Sequence, residues 1–189
     1  MRPFALHLMR HGATAGGGRF NGRTDVVPTV AGIDACLDQA SDLNFDLVVS
    51  SDLQRCTMAA QRIARAHRVE LRIGRAWREL DFGHWDGLDP RDLDPEALSR
   101  FWTDPDKHPP EEGERWSDLV RRVGDALSDM ERRSTLVVAH GGSIRAALAH
   151  LCGFDMRQVW AFQLGNAALI SLEIWPGDGG AAQIVGLRA

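Results

Sequence analysis

The sequence is poor in cysteine, nearly without lysine and free of long apolar runs. Its three cysteines, Cys36, Cys56 and Cys152, are odd in number and widely spaced. They form neither a C-x-x-C pair nor a zinc-ligand spacing, so no metal site is expected, and reduced, partly buried thiols of a cytosolic protein are. No stretch approaches the roughly 20 apolar residues of a membrane-spanning helix. The apolar start is too short for a signal peptide and runs straight into reactive side chains. The expectation is a cytoplasmic protein with no membrane partner. Net charge is −4, and nothing global points to nucleic acid or anionic lipid. Lys107 is the only lysine. The other basic residues are arginine, which base composition explains first. Arginine is also the residue that grips phosphate with paired N–H donors.

What is present suits one domain over residues 1–189. The chain is 44% hydrophobic and 25% charged, ordinary values for a self-supporting core. Apolar runs of strand length alternate with helical patterns, which predicts an α/β layered fold around a largely parallel sheet. Strands are expected at Phe4–Met9, Phe45–Ser50, Glu70–Ile73, Thr135–Ala139, Ala168–Ile174 and Gln183–Leu187, the last two joined by a turn at Pro176–Gly180. Helices are expected from Thr29, as N-cap, to about Leu43; from a Ser51 or Asp52 cap to about His67; from about Glu114 to Arg132; and from Ser143 to about Leu151. Between about 77 and 113 the pattern loosens into an excursion with a short helix near Pro95–Trp102, the kind of segment that serves as a lid or an insertion.

Two strands end in His-Gly, in LHLMRHG and in LVVAHGG. A third leads into a helix that carries Arg55 in its first turn. Ligands of open α/β sheets bind beyond the carboxyl ends of the strands, so Arg10, His11, Arg55 and His140 converge on one predicted pocket. Two guanidinium groups, free N–H groups at helix starts and a glycine after each histidine suit a phosphate dianion. Neither a cysteine nucleophile nor a Walker lysine is there. A neutral imidazole can attack phosphorus near pH 7. A carboxyl group with its pKa raised by burial can then protonate the leaving oxygen and activate water. Glu79, among Trp77, Leu80, Phe82 and Trp85, is the candidate, with Asp81 and Asp86 near enough to be confused with it.

These segments resemble a known family. LMRHGAT, SSDLQRC, ELDFGHWDG and VVAHGG, in that order, are similar to the motifs of the histidine phosphatase (phosphoglycerate mutase-like) superfamily. The resemblance implies a three-layer α/β/α sandwich with a mostly parallel central sheet. It implies that His11 is phosphorylated, that Arg10, Arg55 and His140 bind the phosphoryl oxygens, and that Glu79 is acid, then base. Gly12 and a backbone N–H of Gly141 or Gly142 would approach the phosphate. No cofactor and no metal are implied; the partner would be a small phosphomonoester. Departures are Ala13 and Gly17, where many members carry Glu and Asn, together with Ala59 for Thr and Asp86 for Glu. The role of the missing Asn would pass to Asn21 or Arg23 in the loop that holds Gly22.

The segment FWTDPDKHPPEEGERWSDLVRRV resembles the alpha-ribazole-5'-phosphate phosphatases of cobalamin synthesis, with Glu114 at a helix start. A phosphoglycerate mutase-like or sugar-phosphate (fructose-bisphosphatase-like) phosphatase is the alternative enzyme, and a non-catalytic binder of phosphorylated ligands the alternative of another class. A homodimer is left open. Four tryptophans, Trp77, Trp85, Trp102 and Trp116, gather around the excursion. Packing of that insertion is the first reading, stacking on a substrate ring the second. His11, taken as a surface-facing strand-end residue, should carry little packing load.

Overall fold

A computed structural model describes residues 2–175 and 181–189. One six-stranded sheet organises it, in the order β3-β2-β4-β1-β5-β6. The strands are β1 (Phe4–Arg10), β2 (Leu47–Ser50), β3 (Glu70–Ile73), β4 (Thr135–Ala139), β5 (Leu169–Trp175) and β6 (Ala181–Arg188). β3, β2, β4 and β1 run parallel; β5 is antiparallel to β1, and β6 antiparallel to β5. The predicted turn at 176–180 lies outside the described residues.

The central strands read as continuous apolar runs because both faces are covered. Alternate residues feed two cores. Leu6, Leu8, Leu47, Val49 and Val137 pack under α4 (Trp116–Ser128) and α5 (Gly141–Cys152). Met9, Val48, Leu136 and Val138 pack under α1 (Val30–Ala40) and α2 (Gln54–His67). The period-2 alternation of a strand thus makes the three layers.

Thr29 caps α1, its side chain accepting from the Gly32 N–H at 3.0 Å, and the helix stops at Ala40, short of the expected Leu43. Neither Ser51 nor Asp52 caps α2. Leu53 holds the N-cap position, because Asp52 takes a bidentate pair with Arg78 at 2.6 and 2.7 Å. Glu114 is not in α4; it precedes the helix and binds Arg122 at 2.7 Å. A short helix α6 (Met156–Trp160) went unpredicted, although Asp155 and Gln158 form a reciprocal capping box there, a readable start signal. In the excursion, α3 (Pro95–Thr103) follows three single-turn 3-10 segments.

Candidate active site

The carboxyl ends of β1, β4 and β2 deliver Arg10-His11, His140 and Ser50-Ser51 to one end of the sheet, with Arg55 in the first turn of α2. The His11 and His140 rings stand 5.3 Å apart, tilted by 64°.

His11 is not surface-facing; it is 9% exposed. Its Nδ1 donates to the Gly12 carbonyl at 2.8 Å, so the proton sits on Nδ1 and the lone pair on Nε2. Among the described residues Nε2 has no hydrogen-bond partner. Burial, reinforced by the charges of Arg55 and Arg10, pushes its pKa down to about 3 against the opposing pull of the Gly12 carbonyl. The imidazole is neutral at pH 7. Gly12 is glycine for a reason other than ligand approach: a Cβ there would lie 1.8 Å from the Gly32 carbonyl of α1.

His140 is arranged differently. Arg55 Nε donates to its Nδ1 at 3.1 Å, so its proton is on Nε2, which faces Ser51 Oγ at 2.8 Å. Complete burial, then the charge of Arg55, holds its pKa well below the ordinary histidine range. The rest of the Arg55 fork donates to loop carbonyls, Nη1 to Thr24 at 2.7 Å and Nη2 to Asn21 and Gly22 at 2.7 and 3.1 Å. One Nη1 N–H is left over from the five of a guanidinium. Arg10 by contrast, among the described residues, spends one N–H, from Nη1 on the Leu164 carbonyl at 2.6 Å, and its buried Nε has no partner there.

The loop that feeds Arg55 is itself clamped. The Asp86 carboxylate accepts the backbone N–H groups of Gly22, Arg23 and Thr24 at 2.7, 3.0 and 3.0 Å, as well as the Thr24 hydroxyl. Three successive N–H groups make an anion nest, here filled by a side chain. Glu79 accepts the N–H groups of Leu80 and Gly142, each at 2.9 Å. A Cβ on Gly142 would lie 2.1 Å from Glu79 Oε1, so glycine is what admits the carboxylate. The expected N–H of Gly142 for phosphate therefore goes to Glu79 instead. Arg122, anchored on Glu114, donates to the carbonyls of Ala76, Arg78 and Glu79 at 2.8, 3.2 and 3.3 Å and fixes the backbone that carries Glu79.

A cavity of about 500 Å³ is lined by Arg10, His11, Asn21, Arg55 and Glu79, together with Ala13 and Gly17. The small residues at 13 and 17 widen it. Asn21 presents a buried side-chain oxygen that has no partner among the described residues. Gly22 and Arg23 do not line this cavity; they face a separate groove, where Arg23 donates to the Gly83 carbonyl at 3.3 Å. Gly141 and Gly142 line an aromatic recess that adjoins the cavity. Arg122 was not picked out from sequence, Ser51 was read there only as a helix cap, and Asp86 only as a rival of Glu79 and a departure from the motif. Among the described residues no group of three or more His, Cys, Asp or Glu is placed to hold a metal ion, and no helix is long and apolar enough to cross a membrane.

The family model described as histidine phosphatase superfamily (branch 1) matches residues 6–185. The chain belongs to that superfamily. As a phosphatase of this superfamily it is similar to the adenosylcobalamin/alpha-ribazole phosphatase of Escherichia coli (strain K12), 28% identical over 181 residues and 89% of each chain. It is also 28% identical to phosphoserine phosphatase 1 of Hydrogenobacter thermophilus, over 86% of this chain and 83% of that one. The solved mycobacterial glucosyl-3-phosphoglycerate phosphatase superposes with a TM-score of 0.85 at 26% identity, covering 97% of this chain and 98% of that one.

Proposed function

We propose that this phosphatase hydrolyses phosphate monoesters through a phosphohistidine on His11, without a metal ion, and that alpha-ribazole phosphate is its substrate. The observation that carries the mechanism is the bare Nε2 of a neutral His11, set beside the uncommitted fork of Arg10 in a cavity that Glu79 also lines.

Nε2 attacks phosphorus and the bond to the ester oxygen breaks. Glu79 gives that oxygen a proton. Arg10 and the spare N–H of Arg55 take charge from the phosphoryl oxygens. Glu79, now a carboxylate, takes a proton from water as the water attacks phosphorus; the P–N bond breaks, and inorganic phosphate leaves with the lone pair restored to Nε2. His140 acts through Arg55, whose orientation it sets. The substrate reading rests on the similarity to the alpha-ribazole phosphatase and on the W-T-D-P to P-P-E-E-G-E segment at 102–114.

The test is phosphate release in EDTA from alpha-ribazole phosphate, phosphoserine, 3-phosphoglycerate, fructose 2,6-bisphosphate and p-nitrophenyl phosphate. Hydrolysis that persists in EDTA, with alpha-ribazole phosphate preferred, is expected. Preference for another ester keeps the mechanism and discards the substrate. No release from any sinks both.

A further inference from the structure

Beside the phosphoryl cavity lies a recess of about 160 Å³ whose walls are Phe82, Phe101, Trp102, Trp116 and Trp160. Arg10, Glu79 and Phe82 are shared walls of recess and cavity. The recess matches in size a cavity that admits one benzene ring, on the order of 150 Å³. Its rings support each other: Phe101 and Trp102 at 4.9 Å and Trp102 and Trp160 at 5.7 Å meet edge to face, and Trp116 and Trp160 meet tilted at 5.5 Å. Arg145 lies over the Trp160 ring at 4.6 Å, with Nη1 on the Gly141 carbonyl and Nη2 on that of Phe162.

A wall built only to pack an insertion satisfies its polar atoms. This one does not. Among the described residues the Nε atoms of Arg10 and Arg145 and Nε1 of Trp160 are buried without a hydrogen-bond partner, and all three residues line the recess. Each such donor carries a desolvation cost unless something pairs with it. From Trp160 the offer is one N–H; Arg145, with Nη1 and Nη2 each tied to one carbonyl, adds its Nε–H and one further N–H on each Nη. Unpaired N–H groups in residues that line an aromatic slot favour a planar ring carrying nitrogen or oxygen acceptors.

We infer that the recess is the subsite for the alcohol half of the ester, and that it takes an aromatic or heteroaromatic ring. The inference rests on the hydrolase reading above. With phosphorus between His11 and Arg10 and the ester oxygen at Glu79, the group on that oxygen extends past Glu79 into the recess. Flat rings find stacking partners there, which a compact group such as a glycerate or serine side chain cannot use.

The experiment compares kcat/KM for ethyl, 2-cyclohexylethyl and 2-phenylethyl phosphate, whose alcohols leave with similar ease. The phenyl ester is expected to exceed the ethyl ester by about tenfold or more, and to exceed the cyclohexyl ester, which has the bulk but not the flatness. Trp102, 44% exposed, is the wall to remove: Trp102→Ala should collapse the phenyl-to-ethyl ratio toward one, and Trp102→Phe should restore part of it. A general loss of folding lowers all three rates and leaves the ratio. A parallel titration with benzylphosphonate, which cannot be hydrolysed, reads binding by tryptophan fluorescence. Turnover of every ester with a phenyl-to-ethyl ratio near one overturns the recess and keeps the hydrolase. Saturable quenching by benzylphosphonate that Trp102→Ala weakens, with no turnover of any ester, keeps the recess and overturns the hydrolase.

Discussion

Two arginine–histidine pairs share this site. One is Arg10 and His11 at the end of β1; the other is Arg55 from α2 with His140 at the end of β4. In sequence the two His-Gly strand ends look alike. In the structure both imidazoles are buried and driven neutral by burial. Their hydrogen bonds separate them. His11 spends one nitrogen on its neighbour's carbonyl and keeps the other bare. His140 spends both, on Arg55 and Ser51. The arginines divide the same way: Arg10 is mostly unspent, while Arg55 holds His140 and three loop carbonyls. A site that must bind and react needs some groups free and others fixed. Here each pair supplies one kind.

The comparison breaks first at His11. His11→Ala should lower turnover by on the order of 10⁴-fold or more, since the atom that forms the bond is gone, while the urea midpoint falls less than for His140→Ala, because the buried ring gives up only one hydrogen bond, to an adjacent carbonyl. A large residual rate would move the nucleophile elsewhere. His140→Ala should act on both axes. It strands Arg55 Nε inside the protein and takes from Ser51 Oγ one of its donors, leaving that of Leu53, which costs about 3 kcal/mol of stability, and turnover should fall by about 10²-fold as Arg55 loses its orientation. Equal stability losses for the two alanine variants would erase the distinction.

Lysine substitutions sharpen it. Arg10→Lys should reduce kcat/KM by about tenfold to a hundredfold, with a melting temperature near that of the wild type, because lysine keeps the charge but not the fork. Arg55→Lys should cost about 2 kcal/mol in denaturant, since the bonds to the loop at 21–24 and to His140 are lost together. The last effect is a pH slope. A histidine whose folded pKa lies below its unfolded value of about 6.5 leaves the unfolded chain with more bound protons as pH falls. The stability contributed by the neutral imidazole is therefore whole above pH 6.5 and is lost on acidification, for His11 down to about 3. Well inside that window each such histidine adds about 1.4 kcal/mol per pH unit. Urea midpoints between pH 7 and 5 should fall for the wild type and fall less steeply for His11→Ala. Parallel slopes would mean that His11 is not held neutral by the fold.

Much of this was legible in residue order. Continuous apolar runs such as TLVVA announce strands covered on both faces, and Thr29 announces the start of α1 through a cap that needs only three residues of chain. The helix Met156–Trp160 was equally local and was missed because it is one short turn. Other features had no local signal. Ser51 and Asp52 look like helix caps until Arg78 arrives from the excursion to take Asp52. Gly142 looks like a phosphate contact until Glu79, from a segment distant in the chain, fills the space a Cβ would need. Arg23 sits in the right loop but points to the other side of Glu79.

The sequence by itself determined the layered α/β architecture, the strand ends that carry His11 and His140, and the arginine-rich chemistry aimed at phosphate. Those depend on periodicity and residue type, which are properties of the chain taken a few residues at a time. Only the tertiary structure decided which histidine keeps a lone pair, which arginine keeps its donors, and that Asp86 rather than a ligand fills the nest at 22–24. Hydrogen-bond capacity is a property of a side chain, but whether it is already spent depends on which groups folding brings within about 3 Å of it.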